Sequence, residues 1–187
     1  MTRACGGRAG GPNRALRPRI GRFRSPRFGP RPGRRHVAGR QGRVARLASR
    51  FGFTGTVEYR HAYSQSGGAQ FCFGAGSASD LLLVYAEAFE RDSDPDDFSL
   101  AAIIAHECGH QRLLRDSNLA VIGRKLSGQV FEEVLASLIG SLFVDESRDA
   151  EHLVGKATVD LATIGLSAAS VVRTIEQLRG ILKELVR

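Results

Sequence analysis

Cysteine is scarce in this chain, and its three copies, Cys5, Cys72 and Cys108, are odd in number and far apart. That usage excludes the dense, even framework of a disulfide-stapled secreted domain and favours a reducing compartment. Long apolar runs are also missing: no stretch approaches the roughly 18–20 residues a membrane-spanning helix needs. Residues 1–30 lack the apolar segment of about 7–15 residues that marks a secretory signal. Together these absences predict a cytoplasmic chain with no membrane partner.

A third absence divides the molecule. Residues 1–50 contain no acidic residue and no lysine but 15 arginines, whereas residues 51–187 carry 12 Lys+Arg against 19 Asp+Glu. The net charge of +8 therefore belongs to the N-terminal segment, and the remainder is mildly acidic. Five of the six prolines and nine of the 22 glycines also fall before residue 51. Such a composition buries little apolar surface against its ordering entropy and predicts a disordered tail to about Leu47. Residues 51–187 are then one domain with a C-terminal helical extension.

Within that domain Thr54–Tyr63 and Gln70–Phe73 carry strand-like composition on either side of a Ser/Gly-rich turn, and Asp80–Phe89 reads as a third strand lying at an edge. Helical periodicity runs from Phe98 to about Arg115 and from Gln129 to Val144, with Gly123 and Ser127-Gly128 breaking the chain between them. Leu161, Ile164, Ala168, Val171, Ile175, Leu178, Leu182 and Leu185 recur three and four apart, the stripe of a helix or helix pair. The stripe suits core packing, with a homodimer seam as the sharper alternative. The fold class is α+β: a small antiparallel or mixed sheet packed on two helices, followed by C-terminal helices.

The chemistry is concentrated in His106-Glu107-Cys108-Gly109-His110. At about 3.6 residues per helical turn, His106 and His110 share one face and their imidazoles can converge on one metal ion. Glu107 lies beside that face, where a carboxylate can act as general base without ligating. Leu100, Ala101, Ile103, Ile104, Leu113 and Leu114 flank the motif with apolar residues, as a metal helix set in a core requires. Gly109 permits a close approach by another segment. Cys108 points away from the histidine pair and reads as a small buried thiol.

A hydrolytic zinc site takes three protein ligands and keeps one position open. Asp116 stands six residues after His110, but Leu113 occupies the place of the glycine that would turn the chain back, so Asp116 reads as a helix end. His152 has no supporting pattern. Glu133 follows His110 after 22 intervening residues, on a second helix whose face carries Ala136, Ser137, Gly140 and Ser141, small enough for close helix contact. Glu132, about 100° round that helix, should face solvent.

At these residues the chain resembles the compact gluzincin metallopeptidases, above all the ImmA/IrrE-like domains, which share Ala-His-Glu-x-Gly-His-x-x-Leu and a following Glu-x-x-Ala-(Asn/Asp). The matching stretches are Ala105–Leu113 and Glu133–Ser137, and the likeness spans about residues 80–145. It implies metal ligation by His106, His110 and Glu133, zinc as the ion, a catalytic Glu107, and a protein substrate such as a repressor. Two departures stand out. Ser137 replaces the Asn/Asp that would orient a ligand histidine, so that support must be weaker or come from elsewhere. Ser141–Val144 stands where the family carries a Leu-Leu-Met-Pro type ending.

The expectation is zinc-dependent peptide hydrolysis with Glu107 as general base and the substrate laid along Asp80–Phe89. The alternative class is a zinc-binding regulatory protein whose arginine tail contacts nucleic acid. With only Phe23 and Phe28 for base stacking, that contact would be unspecific and salt-sensitive. A targeting extension or a translation start set upstream of the true one would account for the tail equally. His61, between Tyr59 and Tyr63, is either a donor to the transition state or a half-buried strand histidine.

Overall fold

The computed structural model describes residues 34–64, 67–75, 78–126 and 128–186. It is an α+β arrangement of seven helices and one three-stranded mixed sheet among those residues.

Disorder does not extend through residues 34–50: α1 (Arg34–Arg50) is a helix, and the rest of the basic segment, residues 1–33, lies outside the described residues. Composition hides the reason. Val37, Val44, Leu47 and Ala48 recur at helical spacing, and Val44 and Ala48 are fully buried in the core beside Phe51. Three of its arginines are engaged by the fold: Arg40 donates to Tyr59 Oη (2.8 Å), Arg43 pairs with Asp92 (2.8 Å) and Arg50 pairs with Asp145. Gln41 donates to Val57 O and accepts from Tyr59 N–H, so its amide covers the outer edge of the first strand.

The strands are β1 (Thr56–Arg60), β2 (Ala69–Cys72) and β3 (Leu81–Tyr85), in the order β1-β3-β2, with β3 parallel to β1 and antiparallel to β2. The edge position expected for Asp80–Phe89 is thus wrong. Leu82, Leu83 and Val84 are buried in succession, the mark of a strand covered on both faces. The second half of that segment is a short helix, α2 (Ala86–Arg91), because Ala-Glu-Ala-Phe-Glu-Arg carries helix formers and little β preference. Asp80, at the head of β3, accepts from Arg115, Gln111 and the backbone N–H of Gly74. Burial works against its charge, but these donors hold its carboxyl below the ordinary value of 3.8. This junction fixes the sheet to the end of the central helix.

That helix, α3 (Leu100–Arg115), starts where Ser99 Oγ accepts the N–H of Ala102 and is buried around much of its circumference. Its end is made by Asp116, which caps α4 (Ser117–Lys125) by accepting from Asn118 and Leu119 N–H. Gly123 does not break the chain; it sits within α4, against Leu113. α5 (Gln129–Gly140) packs on α3, and every residue from Val134 to Gly140 is buried. α6 (Ser147–Ala162) and α7 (Ala168–Leu185) pack on α5, and α6 also reaches α3 through Leu153. Leu161, Val171, Ile175, Leu178 and Leu182 of the C-terminal stripe lie in this second core, and the stripe breaks at Gly165, whose φ of 81° turns the chain between the two helices. Among the described residues no helix is long and apolar enough to cross a membrane.

Candidate metal centre

Two helices build the centre because both are nearly side-chain-free where they touch. A Cβ on Gly109 would stand 2.2 Å from Ala136 O, and one on Gly140 would stand 2.8 Å from Ala105 O. The backbones of α3 and α5 are therefore in direct contact beside the histidines, which brings residues of the first turns of α5 within reach of them.

His106 and His110 stand one turn apart with ring centroids 4.9 Å apart. Their Nε2 atoms both face Glu133, at 3.2 Å from Oε2 for His106 and 3.6 Å from Oε1 for His110. Taking one donor atom from each of the three residues, all lie within 4.8 Å of one another. Ligands at about 2.0–2.1 Å from a tetrahedral ion are separated by roughly 3.3–3.4 Å, and the two His–Glu distances, each to a different oxygen of Glu133, are of that order. His106, His110 and Glu133 can hold a metal ion.

The Nδ1 atoms are held as well. Ser137 Oγ is 3.0 Å from His106 Nδ1, and Glu132 Oε1 is 3.4 Å from His110 Nδ1. In a neutral ring that ligates through Nε2, Nδ1 carries the proton and donates; the Glu132 carboxylate accepts there, and the Ser137 hydroxyl is able to accept, so both partners are compatible with that tautomer. The partner of His106 Nδ1 is thus Ser137, which is fully buried with its hydroxyl within hydrogen-bond reach. Glu132 corrects the expectation that it faces solvent. Adjacent residues about 100° apart on a helix can straddle a ring lying between them, and here Glu133 takes one nitrogen side of His110 and Glu132 the other.

Charge follows this geometry. Burial favours the neutral form of His110, but Glu132, Glu107 and Glu133 outweigh it and raise its pKa above 6.5. His106 and then His110 and Lys156 hold the Glu133 carboxyl far below the ordinary carboxylate range, against the effect of burial. A proton on His110 would therefore compete with any metal ion held there, and affinity is expected to fall as the pH is lowered.

Glu107 stays outside the ligand group, as its helix position requires, and its Oε2 accepts the N–H of Phe71 on β2 at 2.8 Å. His106, Glu107, His110 and Glu133 open on one cavity of about 370 Å³, with Phe71 on one wall and Phe98, Ile103 and Leu153 on another.

No protein-family model, curated protein or solved structure matches the chain. The ligand geometry therefore stands on the residues alone.

The remaining candidates fall elsewhere. Asp116 is the cap between α3 and α4, and His152 packs its ring against Phe98, 5.6 Å between centroids. Cys108 is buried on the other side of α3, where burial pushes its thiol well above the usual range. His61 bonds Tyr59 Oη at 3.1 Å on β1, the strand farthest from the cavity, and takes no part in its lining. Lys156 of α6 carries no sequence signal: its Nζ reaches Glu133 Oε2 at 3.0 Å from 23 residues further along the chain, with no motif to announce it.

Ser137→Ala is expected to weaken metal binding by about 10–100-fold without unfolding the protein, because it leaves His106 Nδ1 unpaired and the ring free to turn. Competition titration with a chelating dye measures this, and unchanged affinity would remove Ser137 from the centre.

Proposed function

We propose that the chain is a zinc metallopeptidase of compact gluzincin type, with His106, His110 and Glu133 as ligands and Glu107 as general base. The observation that carries this reading is the convergence of two imidazole nitrogens and one carboxylate oxygen from two helices, within 4.8 Å of one another, with a second carboxylate, Glu107, lining the same cavity. Two neutral imidazoles and one carboxylate form a donor set typical of hydrolytic zinc sites. Zinc, when bound, supplies Lewis acidity that makes water a nucleophile near neutral pH.

The other parts belong to the chain. Glu107 Oε2 is held by Phe71 N–H, which orients the carboxylate and leaves Oε1 to accept a proton from the attacking water and pass it to the leaving amine. Glu132 accepts at Nδ1 of His110 and the Ser137 hydroxyl is able to accept at Nδ1 of His106, which suits the ligating tautomer of both rings. β2 is the edge strand that borders the cavity, so an extended peptide adds to β2 and not to the central β3. The apolar wall of Phe98, Ile103 and Leu153 suits a hydrophobic side chain of such a peptide.

The purified protein is expected to hold about one zinc per chain and to cleave unfolded polypeptides, with loss of cleavage on chelation and recovery on adding zinc. Elemental analysis combined with mass spectrometry of digests measures both. A folded protein that takes up no zinc overturns the reading, and zinc uptake without cleavage reduces it to a binding function.

A further inference from the structure

A lysine against a metal-ligating carboxylate is unusual, because its charge opposes that of the ion the carboxylate is meant to attract. Lys156 is not a loose surface residue. Its Nζ bonds Asp160 Oδ2 at 2.7 Å, one turn along α6, and Glu133 Oε2 at 3.0 Å, and it forms part of the cavity wall. Asp160 thus anchors the ammonium from behind and directs it at one particular oxygen. Both oxygens face an imidazole, Oε1 at 3.6 Å from His110 Nε2 and Oε2 at 3.2 Å from His106 Nε2, but only Oε2 also carries the ammonium. The two oxygens of Glu133 are therefore inequivalent before any ion arrives.

We propose that Lys156 is a positioning residue of the metal centre: by holding Glu133 Oε2 it limits the carboxylate to one ligating oxygen and keeps a coordination position open. The inference rests on the assignment of His106, His110 and Glu133 as ligands. A free carboxylate can close on a divalent ion through both oxygens, filling the position that water or a substrate carbonyl needs. An ammonium bonded to Oε2 opposes this, because a chelating carboxylate would have to share that atom between two cations. The Asp160–Lys156–Glu133 chain supplies the same kind of control over the carboxylate that Ser137 and Glu132 supply over the rings.

Cobalt(II) reports coordination number directly, since four-coordinate sites absorb visible light more strongly than five- or six-coordinate ones. The full chain loaded with Co²⁺ is expected to show intense bands. Lys156→Met is expected to lose about half or more of that intensity as Glu133 becomes bidentate, and Lys156→Arg, which keeps a cationic donor, is expected to retain it. Asp160→Asn, which frees the ammonium without removing it, should give a smaller loss of the same sign and serves if Lys156→Met does not fold by circular dichroism. Identical spectra for wild type, Lys156→Met and Asp160→Asn would overturn the inference while leaving the ligand assignment intact. Failure of the folded wild type to take up Co²⁺ would overturn both.

Discussion

Glu107→Gln is expected to lower peptide cleavage by about 10²–10⁴-fold while zinc stays bound at wild-type stoichiometry. The substitution is nearly isosteric, and the residue lies outside the group of three converging donors, so the ion keeps its ligands. The contact with Phe71 N–H also survives, because the amide oxygen of glutamine can accept that bond as Glu107 Oε2 does. What is lost is the capacity to take and return a proton. The deficit should therefore appear in kcat, with KM little changed, since β2 and the apolar wall are untouched. His106→Ala gives the contrasting result, losing metal and activity together. Equal turnover by wild type and Glu107→Gln would exclude Glu107 as the base, whatever the metal content.

Local signals carried the centre into view and non-local ones did not. His106, Glu107 and His110 lie within a single helical segment, where about 3.6 residues per turn converts spacing into direction, and the structure brings the two histidines together as that spacing demands. Glu133 lay on another helix, yet it was reachable because Gly109 and the small face at Ala136, Ser137 and Gly140 already predicted close contact between the two. The partners on Nδ1 were harder to see. In the sequence Ser137 shows only as a departure from a motif, and helix direction alone turns Glu132 to solvent, whereas the ring of His110 is wide enough to meet both glutamates. Lys156 belongs to a helix joined to α5 only by tertiary packing, so neither periodicity nor motif could place it.

The errors in the fold have similar causes. Arginine content masked the apolar spacing of α1, because mean composition averages over the period that positions Val44 and Ala48. The order β1-β3-β2 followed from no property of the strands taken singly. Three apolar residues in a row at Leu82–Val84 favour a central place, but the alternation continuing into Phe89 resembles an edge strand although it belongs to α2. The sequence thus points to β3 as the edge open to a peptide, whereas the edge strand bordering the cavity is β2. The site itself was unaffected, since it depends on α3 and α5.

Because everything at the centre depends on how closely those helices meet, Gly109→Ala should be far more damaging than its single methyl suggests. The added Cβ would lie 2.2 Å from Ala136 O, 2.9 Å from its carbonyl carbon and 3.0 Å from its Cα, all backbone atoms that no rotamer change can move. Relief requires α5 to shift bodily, against a helix buried from Val134 to Gly140. Overpacking of this kind costs about 3 kcal/mol or more, which for a chain of this length lowers the thermal midpoint by roughly 6–12 °C. The same shift carries Glu133, Glu132 and Ser137 away from the histidines together, so zinc affinity should fall by more than the 10–100-fold expected for Ser137→Ala alone. Gly155→Ala is the control. It lies on α6 with nothing within 4 Å of a new Cβ, and there the methyl should stabilise the helix by about 0.5–1 kcal/mol and leave zinc binding unchanged. Calorimetry and zinc titration on the two variants separate a general intolerance of glycine replacement from a contact specific to the centre. If Gly109→Ala kept both its midpoint and its zinc affinity, α3 and α5 would not meet through that glycine, and Glu133 would lose the packing that brings it to the histidines.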